Sequence, residues 1–193
     1  NTARHLPAIA RVAEESGLPL LPGMEITTAE EVHLLAYFSS VDKALEFSDY
    51  IYPHLPPIPN RPEFFGEQTL LDYEDEPVGT EPRLLLTALD LTIGQLTRDI
   101  NAAGGLAVPA HINRGANGLL VNLGMLPPDE HFAALEVSNA VPAPDCDTGA
   151  YKLLYSSDAH CLENIAEREY FLNVPECSSK GLFEYLCACR ERV

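Results

Sequence analysis

Four short stretches hold side chains that could do chemistry together. In Ser156-Ser157-Asp158-Ala159-His160 a carboxylate and an imidazole stand two residues apart. In extended chain, residues i and i+2 point to the same side, so Asp158 and His160 are expected to face one pocket. Carboxylates suit hard cations and imidazole suits zinc, iron and similar metals, although a surface turn with an Asp cap and a solvated His has the same sequence. Glu25 lies in Gly23-Met24-Glu25-Ile26-Thr27, where the glycine permits close approach of a ligand or backbone. The ordinary fate of such a Glu is to point to water. His33 opens the apolar run His33-Leu34-Leu35-Ala36-Tyr37-Phe38, a place more often taken by a hydrogen-bonded core histidine than by a metal ligand. His111 sits in Pro109-Ala110-His111-Ile112-Asn113-Arg114, where an apolar run opens into the loop Gly115 to Gly118. Arg114 is one of few cations. It can grip a phosphate through parallel hydrogen bonds, or simply make a surface ion pair. His5, His54 and His131 have no such setting. The acids Asp72, Glu74, Asp75 and Glu76, like Asp145 and Asp147, read as solvated turns.

The elements that must position these residues alternate. The spacing of Ile9, Val12 and Ala13 predicts a helix over Leu6 to Ser16, stopped by Gly17. Short apolar runs follow at Leu18 to Met24 and Val32 to Phe38, then a helix from Val41 to about His54. Pro53 to Pro62 reads as a surface loop. Gln68 to Tyr73 and Pro77 to Thr80 flank an acidic turn and predict a β-hairpin. Leu91 to Ala103 is helical, and Leu106 to Pro109, Ala133 to Val137, Leu153 to Ser156 and Tyr170 to Val174 are predicted strands. A last helix is expected over Ser179 to Arg192. Such alternation predicts an α/β protein with a largely parallel sheet. Glu25, His111, Asp158 and His160 then fall just past strand C-termini, the end where α/β barrels build their sites.

Composition narrows the function classes. The chain has 193 residues, read as a single domain over 1–193, with 12 Lys and Arg against 29 Asp and Glu, a net charge of -17. That field opposes nucleic-acid phosphates, which bind through Lys and Arg, so nucleic acid is an unlikely partner. An anionic substrate would need local positive charge, and bound cations supply it. No apolar run is long enough to cross a membrane. Five cysteines, with no CxxC pair, argue against a disulfide framework or zinc knuckle and for a cytoplasmic setting.

In this order, the four stretches resemble the PHP (polymerase and histidinol phosphatase) superfamily of metal-dependent phosphoesterases. Val108-Pro109-Ala110-His111-Ile112-Asn113-Arg114 and Ser156-Ser157-Asp158-Ala159-His160 match two of its motifs. Leu21-Pro22-Gly23-Met24-Glu25 and Glu31 to Phe38 match the middle ones. The resemblance spans nearly the whole chain. It implies a distorted (β/α)7 barrel with two or three divalent metals, Mn, Zn or Fe, at its rim. It further implies that Glu25 bridges two metals, that His33 and His111 are imidazole ligands, that Asp158 joins Glu25 at one metal, and that His160 serves another. Arg114 would hold the phosphate of a small phosphorylated substrate. Ile112 stands where the family often has Pro. The family's opening HxH and TDH-like motifs have no counterpart, so the barrel is expected to be incomplete at the N-terminus. The edges so exposed would favour a homo-oligomer. The implied activity is hydrolysis of a phosphate ester. Its alternatives are a non-catalytic PHP-like binding or regulatory module and, from another class, a metal-dependent barrel hydrolase acting on C–N bonds.

Overall fold

The computed structural model describes residues 1–149, 151–165 and 169–190. Helix α1 (Leu6–Glu15) leads into strand β1 (Gly23–Thr27) and strand β2 (His33–Tyr37). Both strands alternate: Met24, Ile26, Leu34 and Ala36 are buried in the core, while Glu25, Thr27 and His33 lie on the opposite face. The connection over residues 28–32 is tied by Thr28, whose N–H donates to the Val32 carbonyl and whose hydroxyl accepts the Val32 N–H. A link this short can only join antiparallel strands, and β1 and β2 pair with Thr27 opposite His33 and Glu25 opposite Leu35.

Helix α2 (Val41–Ile51) starts at Ser40, whose hydroxyl accepts the Lys43 N–H. A short helix α3 (Pro62–Phe65) and the hairpin of β3 (Thr69–Leu71) and β4 (Pro77–Thr80) form a peripheral flap. Helix α4 (Ile93–Ala102) begins with a reciprocal cap between Thr92 and Gln95. It delivers the chain to strand β5 (Leu106–Pro109), which is buried throughout and pairs antiparallel with β2. Gly105 is required at this junction, because a Cβ there would stand 2.6 Å from a ring carbon of Phe38. Helix α5 (Leu119–Leu123) precedes strand β6 (Leu135–Ser138), which runs parallel to β7 (Leu153–Ser156). The two sheets are linked by backbone bonds from Ala133 to Ala107 and from Ile112 to Glu136. Helix α6 (Ser179–Arg190) closes the chain.

The main core packs Ala44, Phe47, Ile51, Leu96 and Ile100 of α2 and α4, with Phe38 just past β2, against the inner face of β1 and β2. A smaller cluster seats Leu186 of α6 on Leu106, Val108, Ala133 and Ala134.

The molecule is α/β as expected, and the described residues form no closed barrel. Among the described residues the strands form one three-stranded antiparallel sheet, a parallel pair and a hairpin, and no sheet closes on itself. The largest sheet is antiparallel where a largely parallel one was expected, because the β1–β2 link is too short for a crossover. Glu25 lies mid-strand rather than past the strand end. Tyr170 to Val174 joins no ladder, and its Phe171 is 78% exposed. The last two residues of the predicted C-terminal helix, 191 and 192, lie outside the described residues. No described helix is long and apolar enough to cross a membrane, and no disulfide joins the cysteines.

Candidate metal centre

The outward face of β1 and β2 sets one side of the site. Strand pairing brings Glu25 diagonally across from His33. His33 is fixed on both sides of its backbone: its N–H donates to the Asn117 carbonyl at 3.0 Å, and its carbonyl accepts the Ala110 N–H at 3.0 Å. The second contact draws the end of β5 alongside, so that His111 projects toward the same point. His111 adopts a left-handed backbone conformation, φ 28°, uncommon for a residue with a Cβ. Its N–H donates to the buried Glu136 carboxylate at 3.0 Å, which holds this corner.

Glu25, His33 and His111 can each offer one ligand atom, and those atoms lie within 4.8 Å of one another. His33 Nδ1 is 2.8 Å from Glu25 Oε1. The oxygen lies off the direction of a ring N–H, so this buried nitrogen has no aligned hydrogen bond. His111 Nε2 is 3.9 Å from Glu25 Oε2 and 3.9 Å from Asp158 Oδ2. His111 Nδ1 is buried without a partner. Unpaired polar atoms in a buried setting are costly. Two imidazoles and a carboxylate, with His111 Nδ1 left without a partner, fit a divalent cation, since this donor set suits Zn, Mn or Fe.

The electrostatics support ligand-ready protonation states. Burial pushes the Glu25 carboxyl upward, but the neighbouring His33 and His111 outweigh it and hold its pKa below the usual carboxylate value. Burial pushes the His111 imidazole down; the Glu25 charge opposes this only in part and nearby Arg114 adds to it. A carboxylate and a neutral imidazole, the forms that bind metal, therefore coexist at neutral pH.

Asp158 reaches the rim of the group. Its carboxylate pairs with the Arg114 guanidinium. Asp158 is itself left-handed, φ 46°, so the extended geometry expected of Asp158-Ala159-His160 does not hold. Its consequence is visible at His160, whose side chain is 79% exposed and whose Nδ1 lies 2.9 Å from the Asp158 carbonyl oxygen. These residues surround a cavity of about 200 Å³ whose lining includes Glu25, His33, His111, Arg114, Asn117, Asp158 and His160. It adjoins a wider one of about 450 Å³ that shares Glu25, His33, Asn117 and His160 and adds Thr27 and Leu86.

The three other histidines stay apart from this group. His5 Nε2 accepts the Leu71 N–H, His54 Nδ1 is 2.8 Å from Asp90, and His131 is exposed. Three supporting residues went unnoticed in the sequence. Glu136 holds His111. Asn113 bonds the Ser138 N–H and carbonyl, both at 2.9 Å. Asn117 carries the His33 contact and donates to the Glu31 carbonyl. Glu136 could have been found: an acid inside the apolar run Ala133 to Val137 must be buried with partners or break the strand.

No family model and no curated protein matches the chain. Among solved structures, the chain is similar to the lesion-specific endonuclease PfuEndoQ of Pyrococcus furiosus, with a TM-score of 0.58 and 17% identity. The match covers 86% of this chain but 38% of the endonuclease, so the chain spans well under half of that protein's length. At this identity the likeness is one of fold.

Proposed function

We propose that the chain is a PHP-like metal-dependent hydrolase of phosphate esters, with Glu25, His33 and His111 as the core of its metal centre. The observation that carries this reading is the convergence of one carboxylate and two imidazoles whose buried Nδ1 atoms have no aligned partner. Asp158, 3.9 Å from His111 Nε2, and His160 are proposed to extend the group toward a second cation. A bound divalent cation supplies Lewis-acid polarisation of a phosphoryl oxygen and a more acidic water. The chain's own residues bind and orient. Neutral His111 and ionised Glu25 are ready to act as ligands without losing a proton. Arg114 has five N–H donors; with one engaged by Asp158, others remain to hold a phosphoryl oxygen and offset charge gathering on it.

The substrate is proposed to be a small phosphorylated molecule. A net charge of -17 disfavours a polyanionic strand, and the cavities beside the group suit a compact ligand. A second reading, cleavage of a nucleic-acid phosphodiester, is favoured by the likeness to a lesion-specific endonuclease. The test is elemental analysis for Mn, Fe and Zn, then assay of the metal-loaded protein on a panel of phosphomonoesters, phosphodiesters and single- and double-stranded oligonucleotides. Bound metal with turnover of small esters supports the proposal. Cleavage confined to oligonucleotides moves the assignment to the second reading. Bound metal without any hydrolysis supports a non-catalytic binding module, and absence of metal after reconstitution refutes the metal centre.

A further inference from the structure

The buried carboxylate of Glu136 is bonded to the backbone of one ligand residue, His111, and to the strand that leads to Asp158, so it contacts both arms of the site. Glu136 is 7% exposed on β6. Its Oε2 accepts the backbone N–H of His111 at 3.0 Å. Its Oε1 accepts the hydroxyl of Ser156, the last residue of β7. The chain turns sharply just beyond each contact. His111 is left-handed at φ 28°, and Asp158, two residues past Ser156, is left-handed at φ 46°. Non-glycine residues in this region carry a conformational cost and persist where surrounding bonds over-determine them. The two oxygens of one side chain thus brace the two strained corners that aim His111 and Asp158 at each other, 3.9 Å apart.

The backbone around Glu136 reinforces the brace. Its carbonyl accepts the Ile112 N–H at 2.9 Å, and Asn113 stitches the next residue pair to Ser138. The segment His111 to Asn113 is therefore clamped to β6, and β6 is clamped to β7 by the parallel ladder. A plain strand pairing would need no acid here. An Ala or Val would suit the apolar run, and burying a carboxylate carries a desolvation cost that only specific partners offset.

We propose that Glu136 is a positioning residue for the metal centre: it sets the separation of the His111 and Asp158 arms so that both can serve one group of cations. This rests on the reading that Glu25, His33 and His111 hold a divalent cation. Outer partners of ligand-bearing groups typically change metal affinity by about 10–100-fold when removed, and Glu136 acts on the ligands' backbone rather than on their rings.

The experiment compares wild type, Glu136→Gln and Ser156→Ala by titration calorimetry with Mn²⁺, with amide hydrogen exchange at His111 and thermal melting run alongside. Glu136→Gln keeps one oxygen acceptor but turns an NH2 toward the other donor. It is expected to speed exchange of the His111 amide and to weaken Mn²⁺ binding by about tenfold or more. Ser156→Ala alters an exposed residue, so the fold survives even if Glu136→Gln does not; it releases only the Asp158 arm and is expected to weaken binding by a smaller factor. Unchanged Mn²⁺ affinity in both variants, beside normal binding by wild type, overturns the inference even if the melting temperature falls, because that pattern marks a structural role alone. A wild-type chain that binds no Mn²⁺ refutes the metal centre itself, and the positioning role with it.

Discussion

Replacing Arg114 with Gln should strengthen metal binding while weakening anion binding. Asp158 is proposed as a ligand, yet its carboxylate is paired with Arg114, so a cation must compete with a guanidinium for it. The size of that competition follows from exposure. The Arg114 and Asp158 side chains are 42% and 20% exposed, nearer to a surface pair than to a sealed one. Exposed ion pairs contribute at most about 1 kcal/mol, whereas breaking a fully buried pair costs several times that. About 1 kcal/mol is roughly fivefold in a dissociation constant. Titration calorimetry of the metal-stripped protein with Mn²⁺ should therefore show Arg114→Gln binding about fivefold more tightly than wild type. The same variant, loaded with Mn²⁺, should bind inorganic phosphate about tenfold or more weakly, since a hydrogen bond to a charged group is worth roughly 1.5–3 kcal/mol. The two shifts have opposite signs, which a general loss of structure does not produce. Weaker Mn²⁺ binding in Arg114→Gln would refute the argument that the guanidinium competes for Asp158.

Glu25→Gln should lower the metal content measured by elemental analysis, because it removes the carboxylate between His33 and His111, while His131→Ala, at an exposed position away from the group, should leave it unchanged. Glu81 is 1% exposed and accepts from Arg4 at 2.7 Å, Tyr52 at 2.8 Å and the Arg83 N–H at 3.1 Å. Glu81→Ala strands these donors, and with Arg4 partly solvated the cost should be about 3 kcal/mol, a fall of roughly 6–12 °C in melting temperature for a chain of this size. Gly105→Ala drives a Cβ to within 2.6 Å of Phe38 and 3.0 Å of Ile100, and calorimetric melting should show a loss of about 1–3 kcal/mol.

Glu25, His33 and His111, which the structure brings together, were each singled out in the sequence by their short motifs, and local pattern controls which face a strand residue takes. The alternation in Gly23 to Thr27 and His33 to Tyr37 is enough to put Glu25 and His33 on one face and Met24, Ile26 and Leu34 on the other. The hairpin around Asp72 was readable from its turn residues as well. Strand direction was misread. It depends on the length of a connection, and residues 28–32 were too few for the crossover that a parallel sheet demands. The geometry at Asp158 was misread because the i and i+2 rule presumes extended chain, and a single left-handed residue redirects everything after it. The deeper loss is at Glu136, whose two partners lie 25 and 20 residues away in sequence. No periodicity encodes such a contact. What the sequence does record is the anomaly of an acid among Ala133, Ala134, Leu135 and Val137, and an unexplained cost in an otherwise apolar strand is itself a pointer to where a fold has been bent toward a task.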